Sequence, residues 1–199
     1  MNKDHVEIYN LHHATLAICK ISKVEEKDIE TFRLSIDDIE RIKRIKNNRR
    51  KREWIISRML VKLLLNGEYP QINYLSNGKP YLRSNDSHLS ISHSMDYVAV
   101  IISNTHNVAV DVENIHRKII HIKDRFINKK EQTSDTLDLF KLWCAKEAVY
   151  KILEYPSVDL LSETTVSKDF KTIHFSRTNE IINIQYIHLE DNILCYIIR

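Results

Sequence analysis

"SISHSMDYVAVIISNTHNVAVDVENI", Ser90 to Ile115, is the stretch on which the fold turns. Its apolar runs are nearly all Val, Ala and Ile, yet it carries Ser-His-Ser upstream and closes on two acids, Asp111 and Glu113. Three short strands are expected here, roughly Leu89–Ser92, Val98–Ser103 and Val108–Glu113, with "NTHN" as a hairpin turn between the last two. Side chains alternate along a strand, so Val108, Val110 and Val112 take the core face and Ala109, Asp111 and Glu113 the other. Carboxylates two residues apart on one face stand roughly 6–7 Å apart at the backbone. Their side chains can converge on one hard cation, and without a cation or a base they repel. The plainer reading is a strand end entering water, where acids cost nothing.

A third carboxylate lies in "LFKLWCAKEAVYKIL", Leu139 to Leu153, within a helix expected over about Leu137 to Leu153. Leu142, Ala145, Val149, Ile152 and Leu153 form its apolar stripe at helical spacing. Trp143, Glu147 and Lys151 fall one turn apart on a different face. Glu147 and Lys151 alone would be an ordinary i,i+4 ion pair on a solvated face. A surface face rarely spends a Trp, so this helix should have a second packed or ligand-facing side. Lys146 sits near the edge of the stripe and must snorkel or pair.

Outward from these two segments, "EIYNLHHATLAIC" (Glu7 to Cys19) reads as a starting strand. In a strand, adjacent His12 and His13 would face opposite sides, which argues against a shared metal. Ser35 can cap a helix, with Asp38 completing an imperfect capping box and Ile36, Ile39, Ile42 and Ile45 as its apolar stripe. "KREWIISRMLVKLLLNG" is a second helix that Gly67 stops. "NGKP" (Asn77 to Pro80) marks a turn. The tail from Val166 to Arg199 alternates like two or three strands around "RTNE" and "LEDN" turns. The sum is an α+β fold with helices and strands in both halves.

A chain of 199 residues suits one domain, or two small halves sharing a core. A hydrophobic fraction of 43% and a charged fraction of 29% are those of a soluble globular protein. "MNKDHVEIYN" lacks the basic-then-apolar build of a signal peptide, and runs such as "NILCYII" are too short for a bilayer, so no membrane is expected. Cys19, Cys144 and Cys195 show neither metal spacing nor a disulfide framework, which points to a reducing cytoplasm and buried thiols. The net charge of +3 is uneven. "RIKRIKNNRRKREW" (Arg41 to Trp54) is dense in Lys and Arg and reads first as a solvated helix face. No aromatic interleaving accompanies it, so no nucleic-acid partner is expected.

Taken in order, "NGKP", "SISHS", "VAVDVE" and "LWCAKEAVYK" resemble the motifs of the surfactin-type 4′-phosphopantetheinyl transferases, and "KREWIISRML" resembles that family's Arg-bearing helix. The likeness is close from about Lys51 to Leu153, and Trp143 with Lys146-Glu147-Ala148 is nearer the Trp/Lys-Glu-Ala branch. The resemblance implies a pseudo-dimer of two similar α+β halves, residues 1–107 and 108–199, with the site between them. It implies transfer of phosphopantetheine from coenzyme A to a serine of an apo acyl or peptidyl carrier protein, with Mg²⁺ required and a monomeric enzyme. Asp111, Glu113 and Glu147 would hold the metal. Glu147 would take the serine proton, and Lys151, with help from Lys146, would neutralise the pyrophosphate. His93, in a segment with Ser92, would contact a phosphate of coenzyme A together with Lys79 and Arg52, with Arg58 a weaker candidate. Pro80 would pack on the adenine. One departure is Ala109, where the family usually has Gly. A Mg²⁺-dependent phosphohydrolase, or a non-catalytic relative that binds carrier or coenzyme A, are the competing readings.

Overall fold

Two antiparallel sheets meet face to face, and each carries one long helix on its outer side. The computed structural model describes residues 5–83, 86–153, 155 and 157–199; residues 1–4 of the N-terminal segment discussed above lie outside them. In chain order the N-terminal half contributes β1 (Val6–Leu11), β2 (Ala14–Lys20), α1 (Glu26–Thr31), α2 (Ile36–Arg44), α3 (Asn48–Leu64), β3 (Ile72–Tyr74), β4 (Pro80–Leu82), β5 (His88–His93) and β6 (Tyr97–Ser103). The C-terminal half contributes β7 (Val108–Asn114), α4 (Thr136–Ile152), α5 (Leu160–Glu163), β8 (Thr164–Val166), β9 (Thr172–Phe175), β10 (Glu180–Asn183), β11 (Gln185–Leu189) and β12 (Asn192–Ile198). The first sheet has the order β1-β2-β6-β5 and the second β11-β12-β7; β10-β9-β8 and β3-β4 are smaller sheets. The α+β class is as expected. No helix among the described residues is long and apolar enough to cross a membrane.

The strand alternation sets the layers. Val98, Val100 and Ile102 of β6 pack with Ile56, Met59 and Leu60 of α3. Tyr97, Ala99 and Ile101, on the other face of β6, meet Val108, Val110 and Val112 of β7 and Leu194 of β12. Ala109 and the opposite face of β12 (Ile193, Cys195, Ile197) pack against Leu142, Ala145, Val149 and Ile152 of α4. Burying one such side chain contributes about 1.5–3 kcal/mol. A one-residue slip of β7 would turn its three valines toward α4 and its acids into the apolar seam, so register is strongly set.

This layering corrects the hairpin expected at "NTHN". β6 and β7 belong to different sheets because both faces of each strand are needed for burial, so the turn carries the chain from one sheet to the other. Ser103 Oγ closes it, accepting from the amides of Thr105 at 3.2 Å and His106 at 3.0 Å and donating to His13 O at 2.5 Å. His12 and His13 likewise lie in a turn, between β1 and β2, and not within one strand; His13 has φ 69° and its ring stacks on His106 at 4.1 Å.

Helix ends follow their sequence signals. Ser35 Oγ accepts from Asp38 N at 3.1 Å, Asn47 caps α3 and Asp135 caps α4. The stop after α3 is shared: Asn66 (φ 54°) takes the left-handed position and Gly67 N returns to Lys62 O at 2.9 Å, a Schellman closure. Gly78 (φ 84°) gives the "NGKP" turn its positive φ. The Ile stripe of α2 is only partly used. Ile36 is 78% exposed and Ile39 40%, because Ile42 alone reaches the core and buried Asp38 anchors the helix through Tyr69. From the end of β8 at Val166 the tail forms four strands, β9 to β12, where two or three were expected, with both turns where the sequence put them. Cys19, Cys144 and Cys195 are free and buried.

Candidate functional site

β7 and α4 bring the acids together. Asp111 is buried, on the β7 face that meets α4. Its Oδ1 accepts from Ser92 Oγ at 2.9 Å and from Lys151 Nζ at 2.7 Å. Lys151 also donates to Val110 O at 2.9 Å. Asp111 Oδ2 is buried without a hydrogen-bond partner, a deficit worth about 1–3 kcal/mol or more for a charged group. Glu113 Oε1 accepts from Trp143 Nε1 at 2.8 Å and Arg117 Nη1 at 2.7 Å. Burial, then the Asp111 charge, push the Glu113 carboxyl up, while Trp143 and Arg117 oppose. Glu147 is pushed up to about 7, first by burial and next by Asp111, with Lys151 opposing.

The Trp on the polar face of α4 is thereby accounted for. Its indole N–H holds Glu113 while its ring meets Phe126 edge-on at 4.9 Å. Lys151 pairs across to Asp111, where the spacing along the helix had suggested Glu147. Among the described residues, no three His, Cys, Asp or Glu side chains are gathered into a metal-ligand set. The donor chemistry still suits a hard divalent cation. Burial first, and the charge of Asp111 second, raise two of the three carboxyls, and one buried oxygen is unmatched.

A second cluster stands on α3 and the end of β5. Buried Glu53 accepts from Arg49 Nε at 2.9 Å and Arg50 Nη1 at 3.2 Å, and its Oε2 lies 3.4 Å from His93 Nδ1. The Arg50 guanidinium also donates into the His93 ring. Burial holds His93 below the usual imidazole range; Arg50 and Lys151 add to that and Glu53 opposes it. Arg49, Arg50, Glu53 and His93 line a pocket of about 610 Å³ with Glu113 and Arg117. Lys79, Pro80 and Ser90 line another, of about 570 Å³, with Tyr150, Lys151 and Tyr155. Both pockets are walled by N-terminal and C-terminal residues.

Residues 107–198 match the model of the 4′-phosphopantetheinyl transferase superfamily. Comparison with curated proteins gives no match. The matched segment contains Asp111, Glu113, Glu147 and Lys151, and the match supports phosphopantetheinyl transferase activity in general terms. Arg52, Lys79, Pro80, Ser92 and His93 lie before it.

The structure redistributes several of the ligand contacts expected of such a transferase. Arg52 turns away, bonding Glu26 and the Val24 carbonyl, and the arginines beside His93 are Arg49 and Arg50. Arg58 is fully buried, stacked on Trp54 at 3.3 Å and bonded to Tyr74 at 3.0 Å, so it serves the core. Lys146 also serves the core: its Nζ is buried and bonds Phe126 O at 2.5 Å, Glu131 Oε2 at 2.7 Å, Leu160 O at 3.1 Å and Thr164 O at 3.2 Å. An ammonium has three donors, which these acceptors saturate, leaving nothing for a phosphate. Lys79 and His93 were expected on one phosphate and line different pockets. Ser92 orients Asp111 and accepts from Val112 N at 3.3 Å. Glu53, Arg49, Arg50 and Arg117 were not singled out from the sequence. The one available cue to Arg49 and Arg50 was Glu53 itself, a lone acid in a run of basic residues at i,i+3 and i,i+4 spacing.

Proposed function

We propose that the chain is a surfactin-type 4′-phosphopantetheinyl transferase. It would move phosphopantetheine from coenzyme A to a serine of an apo acyl or peptidyl carrier protein and release adenosine 3′,5′-bisphosphate. One coincidence carries the reading: the superfamily match and the buried carboxylate cluster fall on the same residues. In this reading residues 1–107 and 108–199 are two similar halves of a monomer, with coenzyme A between them. The two pockets walled by both halves are consistent with that.

The carrier serine Oγ attacks the β-phosphorus of the pyrophosphate. The new O–P bond forms as the bridging P–O bond breaks, and its electron pair leaves on adenosine 3′,5′-bisphosphate. The serine proton goes to a Glu147 carboxylate oxygen. A base near 7 is matched to proton abstraction at neutral pH. Asp111, Glu113 and Glu147 would hold Mg²⁺, which when bound supplies positive charge to the pyrophosphate. Lys151 adds a cation from the Asp111 side, and Ser92 fixes the Asp111 rotamer. His93 with Arg49 and Arg50 would bind a phosphate of coenzyme A, and Lys79 and Pro80 the adenine side.

The test is purified protein with coenzyme A, Mg²⁺ and a panel of apo carriers, read by intact-protein mass. Gain of one phosphopantetheinyl arm is expected. Phosphate release without carrier modification would favour a phosphohydrolase, and coenzyme A binding without either would favour a non-catalytic relative.

A further inference from the structure

Glu53 is 3% exposed, yet it is a carboxylate on a helix whose first turns are crowded with Arg and Lys. Beyond its i,i+3 and i,i+4 arginine pairs along the helix, it reaches His93 on another element. All its partners are cationic or can become so, and all point to one pocket. Arg49 donates through Nε to its Oε1 and through Nη2 to Ser94 O at 3.2 Å. Arg50 donates through Nη1 to its Oε2 and into the His93 ring. His93 comes from β5, so Glu53 ties two elements at the pocket wall. The Arg49 and Arg50 side chains remain 47% and 56% exposed. Each guanidinium has five N–H donors, more than these contacts use, so donors remain on the pocket side.

We propose that Glu53 is a positioning residue that holds Arg49, Arg50 and His93 as one preassembled wall for a phosphate monoester of the bound nucleotide. The inference rests on the coenzyme A reading for its ligand, but its geometry does not. Two arginines and an imidazole so close together repel unless a buried anion stands behind them. The carboxylate removes that repulsion and fixes the guanidinium planes, which a fork-like grip on phosphate requires. The wall keeps a net positive charge, because two guanidiniums outweigh one carboxylate.

Glu53→Gln keeps the shape and removes the charge. Calorimetric binding should show coenzyme A weakened by about tenfold and dephospho-coenzyme A changed by less than about twofold. Turnover at saturating coenzyme A should be unchanged, so the loss appears in KM alone. A second readout needs no ligand: the His93 imidazole titration followed by NMR. Glu53 favours the imidazolium, whereas Arg50 on α3 and Lys151 on α4 disfavour it. The His93 midpoint should therefore fall in Glu53→Gln and rise in Arg50→Ala. Arg50 is half-exposed, so the second variant serves if the first does not fold. An unmoved His93 midpoint in both variants, or equal weakening of both nucleotides, would overturn the inference. Wild-type protein that binds no coenzyme A while the His93 midpoint moves as stated would remove the coenzyme A reading and leave the role of Glu53 standing.

Discussion

Asp111 has one carboxylate oxygen committed to Ser92 and Lys151 and the other buried without a partner. Its neighbour in charge, Glu147, is pushed up to about 7 by burial and then by Asp111. Asp111→Asn and Glu147→Gln should each lower phosphopantetheinyl transfer by about 10²–10⁴-fold. Melting temperature should hold in Glu147→Gln, which relieves repulsion, and fall in Asp111→Asn, which breaks the Lys151 ion pair; a variant with normal turnover would remove that residue from the chemistry. The Glu147 value also sets a pH dependence. It rises from 4.5 to about 7 on folding, so between these values the folded chain binds the proton that the unfolded chain has lost. Without metal, Glu147 therefore stabilises least above that window. Mg²⁺ competes with the same proton, so the rise in Tm on adding Mg²⁺ should be larger at pH 8 than at pH 6; an equal rise at both would separate Glu147 from the cation. The period of two made the shared face of Asp111 and Glu113 legible, and the helical period put Trp143, Glu147 and Lys151 on one line. The partner of Lys151 was not legible, because it depends on how α4 is rotated over β7, which neither period contains.

α4 shows how far periodicity reaches. Its extent and its apolar stripe were readable, yet Lys146 and Glu147 are adjacent in sequence and stand in different worlds, one in the core beside Glu131 and one at the acid cluster. A lysine at the edge of a stripe can pair inward or snorkel outward, and the acceptors that decide come from Phe126, Leu160 and Thr164, remote in sequence. Lys146→Met leaves Glu131 buried and unpaired and should cost about 3–5 kcal/mol in urea denaturation. The fraction still folded should transfer normally. Lys151→Met should lose turnover even in the folded fraction, and it should also lose stability because buried Asp111 is left without its ion-pair partner; if Lys146→Met slowed the folded fraction as much, Lys146 would belong to the site. At the start of the same helix, Asp135→Ala should cost about 1 kcal/mol through loss of its cap to Asp138 N. In α3, a basic run hid the difference between Arg52, which faces α1, and Arg49 and Arg50, which face the pocket. Residues within one turn fan out around the helix axis, and like-charged residues carry no pattern to tell their directions apart.

At the scale of the whole chain, the seam between the sheets joins what the sequence divides. Val110 N and Val112 N donate to Ser90 Oγ at 3.1 Å and Ser92 Oγ at 3.3 Å, and Ser94 Oγ donates to Asn192 Oδ1 at 2.7 Å. Beneath them runs a shared apolar layer. The chain has two tryptophans, Trp54 on α3 and Trp143 on α4. Single-tryptophan variants should report the same denaturation midpoint from either end. Leu194→Ala, in the seam, should lower both midpoints together by about 2–5 kcal/mol of stability; a shift at Trp143 alone would mean the two sheets unfold separately. Strand existence was legible here within a residue for β5, β6 and β7, but sheet membership was not. A strand buried on both faces looks alike whether its neighbour lies beside it or above it.

Lys151 gives the acid cluster a cation that cannot diffuse away. For the Mg²⁺-dependent transferase proposed above, chelation would therefore strip activity without stripping shape. On that reading a cell short of divalent metal would keep an idle but assembled protein, ready to resume work when metal returned, instead of a chain that must be refolded or replaced.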